Sequence, residues 1–194
     1  MKVLFVLFFA LSFLATGCQS YDRLIEKDQA CEQKWADVEA NLQRRADLVP
    51  NLVATVKASA AHEEKVLAEV TQARAAATQV KLEADDFSDP AKMEAFQKAQ
   101  DGLSSALSRL LMTQEAYPDL KANSQFHDLM VQLEGTENRL LRAREEYNKA
   151  VGEYNTELGK IRGQVINKVT GKPFKPRVYF KASADAQAAP KVSF

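Results

Sequence analysis

Apolar residues recur every seven positions along most of this 194-residue chain. Phe126, Leu133, Leu140, Tyr147, Tyr154 and Ile161 form one series, and Met130, Val151, Leu158 and Val165 form a second, offset by four. A seven-residue step returns a side chain to nearly the same helix face, so two such series make the seam of a long helix packed at a shallow angle. Asn123 or Ser124 can cap its start, and from there to Arg162 is about 58 Å at helical rise. The first half keeps the same period. Leu24, Cys31, Val38 and Leu52 form one series and Trp35, Leu42, Val49 and Val56 the other, with Val66 and Val70 continuing them.

Where the helices stop sets their number. The phase does not slip at Pro50, which suits one long helix. Charge placement points the other way: Arg44 and Arg45 suit the negative end of a helix, Asp47 suits an N-cap, and Pro50 suits a first turn. That placement predicts a break around Arg45–Asp47, formed as a hairpin, with a second helix running through the Ala73–Ala77 stretch to about Leu82. Asp89 then caps a third helix whose first position is Pro90. This helix carries Met93, Phe96, Leu103, Leu107, Leu110 and Leu111, and Tyr117-Pro118-Asp119 ends it. The expected fold is all-α: an antiparallel four-helix bundle of long helices over residues 18–162, with an extended C-terminal tail over 163–194. Gly171, Pro173 and Pro176 cannot continue a helix, and Lys172–Phe180 reads as an extended segment with aromatic anchors. With 7 Gly and 6 Pro, the chain lacks the turn residues of a β-sandwich. Its 26 basic and 26 acidic residues cancel, which removes the electrostatic footprint of nucleic-acid binding.

Residues 1–17 read as an address. Lys2 precedes an apolar run from Val3 to Leu14, about 18 Å as a helix, which is short for a bilayer core of ~30 Å and right for a signal peptide. Ala15-Thr16-Gly17-Cys18 resembles a bacterial lipobox, with Ala15 where Leu is commonest. In that signal the Cys18 thiol takes a diacylglyceryl group, the leader is cut before it, and acyl chains hold the protein on the membrane. The plainer alternative is an ordinary signal peptide cut nearby, leaving Cys18 a free thiol. With Cys18 acylated, Cys31 has no disulfide partner, so packing must hold the exported domain. By resemblance to Gram-negative lipoproteins, Gln19 leans towards the outer membrane.

Several motifs resemble the LemA family: Arg44-Arg45-Ala46-Asp47-Leu48-Val49-Pro50-Asn51-Leu52-Val53, Glu115-Ala116-Tyr117-Pro118-Asp119-Leu120-Lys121-Ala122-Asn123, and Leu133-Glu134-Gly135-Thr136-Glu137-Asn138-Arg139. The Tyr147-Asn148 and Tyr154-Asn155 pairs and the tail Lys175-Pro176-Arg177-Val178-Tyr179-Phe180 match as well. The resemblance implies an all-α, N-terminally anchored bacterial envelope protein with a four-helix bundle, and it supplies no established enzyme activity, cofactor or catalytic residue. Many members look as though they keep an uncleaved N-terminal membrane helix, where this chain has a lipobox.

The candidate chemistry is sparse. His62 and His127 each lack the Glu three residues before that a di-metal bundle uses, and His62-Glu63-Glu64 lacks the second His of a zinc-protease helix, so no metal is expected. No cofactor-binding loop is present, and no enzyme activity is expected. Cys31 and the Tyr147/Tyr154 stripe read as core. Glu137 and Arg144 stand out, because they occupy the second seam series of the long helix, where charge is costly unless paired. They are expected to form a polar layer that fixes register or lines a groove, with Arg45 as a partner of Glu137. The candidate interaction positions are Arg44, Arg45, Asp47 and Asn51 at the expected corner, Glu137 and Arg144 on the seam, and Arg177, Tyr179 and Phe180 on the tail. At both the corner and the tail a purely structural role is the alternative. The expected function is a lipid-anchored, non-enzymatic helical scaffold for an unidentified envelope protein; the alternative is a carrier holding a lipid or cell-wall fragment between helices.

Overall fold

The computed structural model describes the backbone of residues 2–59, 63–160, 163–165 and 174–181, with side chains of the first helix described from Tyr21 onward. The helices are α1 (Lys2–Ser59), α2 (Glu64–Gln79), α3 (Pro90–Thr113), the short α4 (Pro118–Lys121) and α5 (Ser124–Gly159), with 3-10 turns at Ala84–Ser88 and Gln114–Ala116. There is no strand among the described residues, and the fold is all-α. No helix among the described residues is long and apolar enough to cross a membrane.

The break expected around Arg45–Asp47 is absent: α1 passes through Pro50 without interruption. Asp47 is therefore not an N-cap. It lies exposed in mid-helix, where its Oδ1 accepts a 2.8 Å hydrogen bond from Gln43 Nε2. The seam outweighs the local charge signal, because an unbroken helix keeps Val49, Leu52 and Val56 in phase, each no more than 2% exposed. A proline inside a helix costs about 3 kcal/mol, partly because it removes the N–H that would satisfy the carbonyl four residues before. Here that carbonyl belongs to Ala46, and Arg74 Nε from α2 donates to it at 2.7 Å. The vacant acceptor becomes a docking point for the next helix. With no break at Asp47, α2 begins at Glu64, and it ends at Gln79, short of Leu82.

The later punctuation follows the expected chemistry. Asp89 accepts hydrogen bonds from Ala91 N and Lys92 N, and Pro90 opens α3. Just upstream, Asp86 accepts from Glu83 N at 3.0 Å and pairs with Lys92. Asn123 Oδ1 accepts from Phe126 N at 3.1 Å and caps α5. The second seam series does not extend to Val165, which is 54% exposed, and Ile161 lies outside the described residues. Residues 163–165 form a helical turn rather than extended chain, while 174–181 are non-helical. Gly163 sits so close to the end of α5 that a Cβ there would lie 2.6 and 2.8 Å from the carbonyl oxygens of Glu157 and Leu158.

The chain divides into two compact units, Met1–Val38 with Ala143–Tyr179, and Glu39–Arg142 with Phe180–Phe194. In the first unit, α1 and α5 run antiparallel. Lys27 pairs with Glu153 at 2.7 Å and Lys34 with Glu146 at 3.7 Å, and the Trp35 and Tyr147 rings meet edge-on at 5.3 Å. In the second unit α2 and α3 are antiparallel, with Arg109 reaching Glu69 at 3.3 Å and Gln100 Nε2 donating to Ala77 O at 2.9 Å. Its core takes Val49, Leu52 and Val56 from α1, Leu67 and Val70 from α2, Leu103, Leu107 and Leu110 from α3, Leu120 from α4, and Phe126 and Leu133 from α5. Each such burial contributes about 1.5–3 kcal/mol. Cys31 is a free, buried thiol, so burial and not a disulfide carries the described fold.

Candidate functional site

Two buried arginines, one in each unit, organise the polar chemistry of the described residues. Arg45 belongs to the same seven-residue series as Val38 and Leu52, and the rotation of α1 drives it into the second unit with no exposed surface. There its guanidinium donates to Ser104 Oγ at 2.9 Å, Glu137 Oε1 at 3.0 Å and Gln100 Oε1 at 2.6 Å. A buried charge left alone would be prohibitive, and one carboxylate with two neutral acceptors makes it tolerable. Glu137 keeps 42% of its side chain exposed, so the pair lies at the edge of the core. The pairing of Arg45 with Glu137 is the one the seam positions imply. The α3 partners were not anticipated, yet Gln100 follows Phe96 by four and precedes Leu103 by three, so it interrupts an apolar face as visibly as Glu137 does. Arg144 lies in the first unit, half-buried, and does not belong to the unit that holds the Arg45 network.

Beside Gln100 an open groove of ≈ 410 Å³ runs along the same unit. Leu42, Ala46, Phe96 and Leu103 are among its apolar lining, and Glu39, Gln43 and Lys81 are among its polar lining. Its position follows from chain geometry. α2 stops at Gln79, and beyond that point the flanks of α1 and α3 lack a helical neighbour from α2.

In the first unit the second arginine comes from the tail. Arg177 is 8% exposed and reaches both acids of one α1 face, Asp28 at 2.8 Å and Glu32 at 3.5 Å. Its guanidinium also stands over the Tyr154 ring, 5.8 Å from the centroid, where the ring quadrupole attracts a cation. The backbone is held independently: Asn155 Nδ2 donates to Arg177 O and Asn155 Oδ1 accepts from Arg177 N, both at 2.9 Å. Tyr154 Oη donates to Lys175 O at 3.1 Å and Tyr147 Oη to Val178 O at 3.5 Å. Phe174 meets Tyr21 edge-on at 6.1 Å. Burial opposes the Arg177 charge, but attraction and hydrogen bonding to Asp28 outweigh it and leave its pKa raised. Burial pushes the Cys31 thiol up to about 11 and the Tyr154 phenol up to about 12, so both stay protonated at neutral pH.

The other expected positions divide by exposure. Arg44, Asp47 and Asn51 are exposed on α1, and Tyr179 is 43% exposed. Phe180 is buried in the second unit against Phe96, ring centroids 6.4 Å apart, and Lys181 N donates to Gln97 Oε1 at 3.3 Å. Arg44, Asp47 and Asn51 thus lie on the outward side of a continuous helix whose Arg45, Ala46 and Val49 are buried, and not at a corner. Among the described residues no group of three His, Cys, Asp or Glu gathers closely enough to hold a metal ion.

The sequence model of the LemA family matches residues 34–194, which takes in Arg45, Arg74, Gln100, Glu137, Asn155 and Arg177. The chain belongs to the LemA family. It is also similar to Magnetosome protein MamQ 2 and Magnetosome protein MamQ 1 of Paramagnetospirillum magneticum, each 26% identical over 191 residues, covering 88% of this chain and 68% of the relative. Magnetosome protein MamQ of Magnetospirillum gryphiswaldense is 25% identical over 190 residues, with the same shares covered. Cys18 and the leader before it lie outside the LemA match and outside the side chains described.

Proposed function

We propose that this LemA-family protein is a lipid-anchored bacterial envelope protein that acts as a non-enzymatic helical scaffold, held to the membrane through Cys18 and presenting exposed helix faces to an envelope protein. The observation that carries the reading is how the two buried arginines are used. Arg45 is engaged by Gln100, Ser104 and Glu137, and Arg177 by Asp28 and Glu32, so both spend their charge on the chain's own architecture. Exposed apolar side chains at Met112, Val131 and Leu141 are available for a partner. The relatives named above carry the name of a cellular structure and not of a reaction, which fits the same reading.

The test is crosslinking in intact cells followed by affinity capture from membranes and mass spectrometry, with Cys18→Ser as control. The scaffold reading expects one reproducible envelope protein, captured with the anchored form and lost with the control. A second reading, a carrier for a lipid or cell-wall fragment, is favoured by the ≈ 410 Å³ groove lined by Leu42, Phe96 and Leu103. Capture of lipid or glycan without protein transfers the assignment to the carrier.

A further inference from the structure

Where α2 ends, the chain does not turn straight into another helix. Val80 and Glu83 are both extended, with φ, ψ of −81°, 108° and −90°, 167°, and residues 80–83 carry no regular structure. The N–H groups of Lys81 and Leu82 and the carbonyls of Val80, Lys81 and Leu82 have no hydrogen-bond partner among the described residues. That leaves a short strand with open edges, about 10 Å long over three residues, of the kind another chain can pair with. The same three residues border the ≈ 410 Å³ groove of the second unit. Phe96 and Leu103 line it at 5% and 1% exposure, and half-buried Leu42 lines it from α1. Glu39 and Lys81 line it too, and neither forms an ion pair among the described residues.

An open strand edge beside apolar side chains and two unpaired charges of opposite sign has the parts that read an extended peptide. Main-chain hydrogen bonds give such sites affinity, and alternate side chains give specificity. We propose that the groove is a peptide-docking site: an extended segment of the envelope protein pairs with one edge of residues 80–82 and lays alternate apolar side chains on Leu42, Phe96 and Leu103. An acid and a base on that segment complement Lys81 and Glu39 and set its direction. A lipid tail would use the apolar lining and leave the main-chain groups without partners, so the strand edge favours a peptide. The inference rests on the scaffold reading and names the surface that reading uses.

The full-length protein in phosphatidylcholine nanodiscs tests it. Phage-displayed heptapeptides are selected on it, and the consensus peptide is synthesised unmodified and with N-methyl groups on either set of alternate residues. The two sets block opposite edges of the peptide strand. The expected result is saturable binding that one N-methyl set weakens at least tenfold and the other spares, with hydrogen exchange of the Lys81 or the Leu82 amide slowed at least tenfold. Equal binding of the two N-methyl peptides, or unchanged exchange of both amides in the bound state, overturns the site. So does a selection that yields no saturable binder. Proline is then placed at whichever position is protected, Lys81→Pro or Leu82→Pro, which removes that N–H. With helicity kept by circular dichroism, an envelope protein captured from cells by the parental chain and lost with this variant supports the groove as its seat. One captured equally leaves the scaffold standing and overturns the groove. If the variant loses helicity, the N-methyl peptides decide alone.

Discussion

Arg45 and Arg177 are both buried, both paired with acids, and built on opposite principles. Arg45 sits on a helix in the middle of a repeating seam, and the partners it reaches, Gln100, Ser104 and Glu137, sit on other helices of its unit. It cannot leave without moving α1. Arg177 sits on a non-helical segment, is met by Asp28 and Glu32, and has its backbone clamped by Asn155. It can leave while α1 and α5 stay packed through Trp35 and Tyr147. One arginine is part of the core's register, the other a latch. The same guanidinium chemistry therefore serves global stability in one place and local attachment in the other.

The comparison breaks first at Arg45. Arg45→Met removes the charge and leaves the Gln100 and Ser104 oxygens facing an apolar side chain while Glu137 stays partly solvated, so urea denaturation should show a loss of about 2–4 kcal/mol. Replacing Gln100 and Glu137 by Leu in the same chain should recover much of it, because an apolar layer needs no partners. If Arg45→Met alone costs nothing, the network is not a register device. Arg177→Ala should cost about 2 kcal/mol, the scale of a lost charge-assisted hydrogen-bond set. Its signature should be local, with faster proteolysis near Pro176 and helical ellipticity unchanged. Cooperative melting of the helices in Arg177→Ala would erase the distinction between core and latch.

A smaller effect sharpens the role of Pro50. Arg74→Ala strands the buried carbonyl of Ala46 and should cost about 1–2 kcal/mol. In a Pro50→Ala background the restored N–H satisfies that carbonyl, so the Arg74→Ala cost should shrink; additive costs in the double-mutant cycle would contradict the docking role. The smallest effect belongs to Asp86. Its hydrogen bond from Lys92, and then the one from the Glu83 amide, lower its pKa in the folded state. Its contribution is therefore present above the unfolded carboxylate value of ~3.9 and disappears as pH falls through the lower, folded value. Thermal midpoints measured from pH 6 to pH 3 should show a shallow acid component that Asp86→Asn lacks.

Much of this was legible beforehand, for a definite reason. Burial follows helical periodicity, so Leu24, Cys31, Val38, Phe126, Leu133 and Tyr147 could be assigned to the core from spacing alone. Asp89-Pro90 and Asn123 could be read as helix starts because a cap needs only its own neighbours. Glu137 announced itself as a charge on an apolar stripe, and Arg45 as a charge in a seam series of the first helix. The Arg45–Asp47 break failed because local capping signals and the long-range seam disagreed there, and burial along the unbroken stripe outweighed them.

What only the tertiary structure decided lies where no period runs. Arg74 carries no mark of its bond to Ala46; its partner exists because Pro50, on another helix, withdrew a donor. Asn155 follows a core tyrosine, and its pairing with the Arg177 backbone depends on a tail with no repeat of its own. Nothing in the spacing of Asp28 and Glu32 marks them for the guanidinium that meets them. Helix identity and core are set by interactions a few residues apart, which spacing encodes. Donors, latches and seats are set by which surfaces come together, and only the packed chain specifies that.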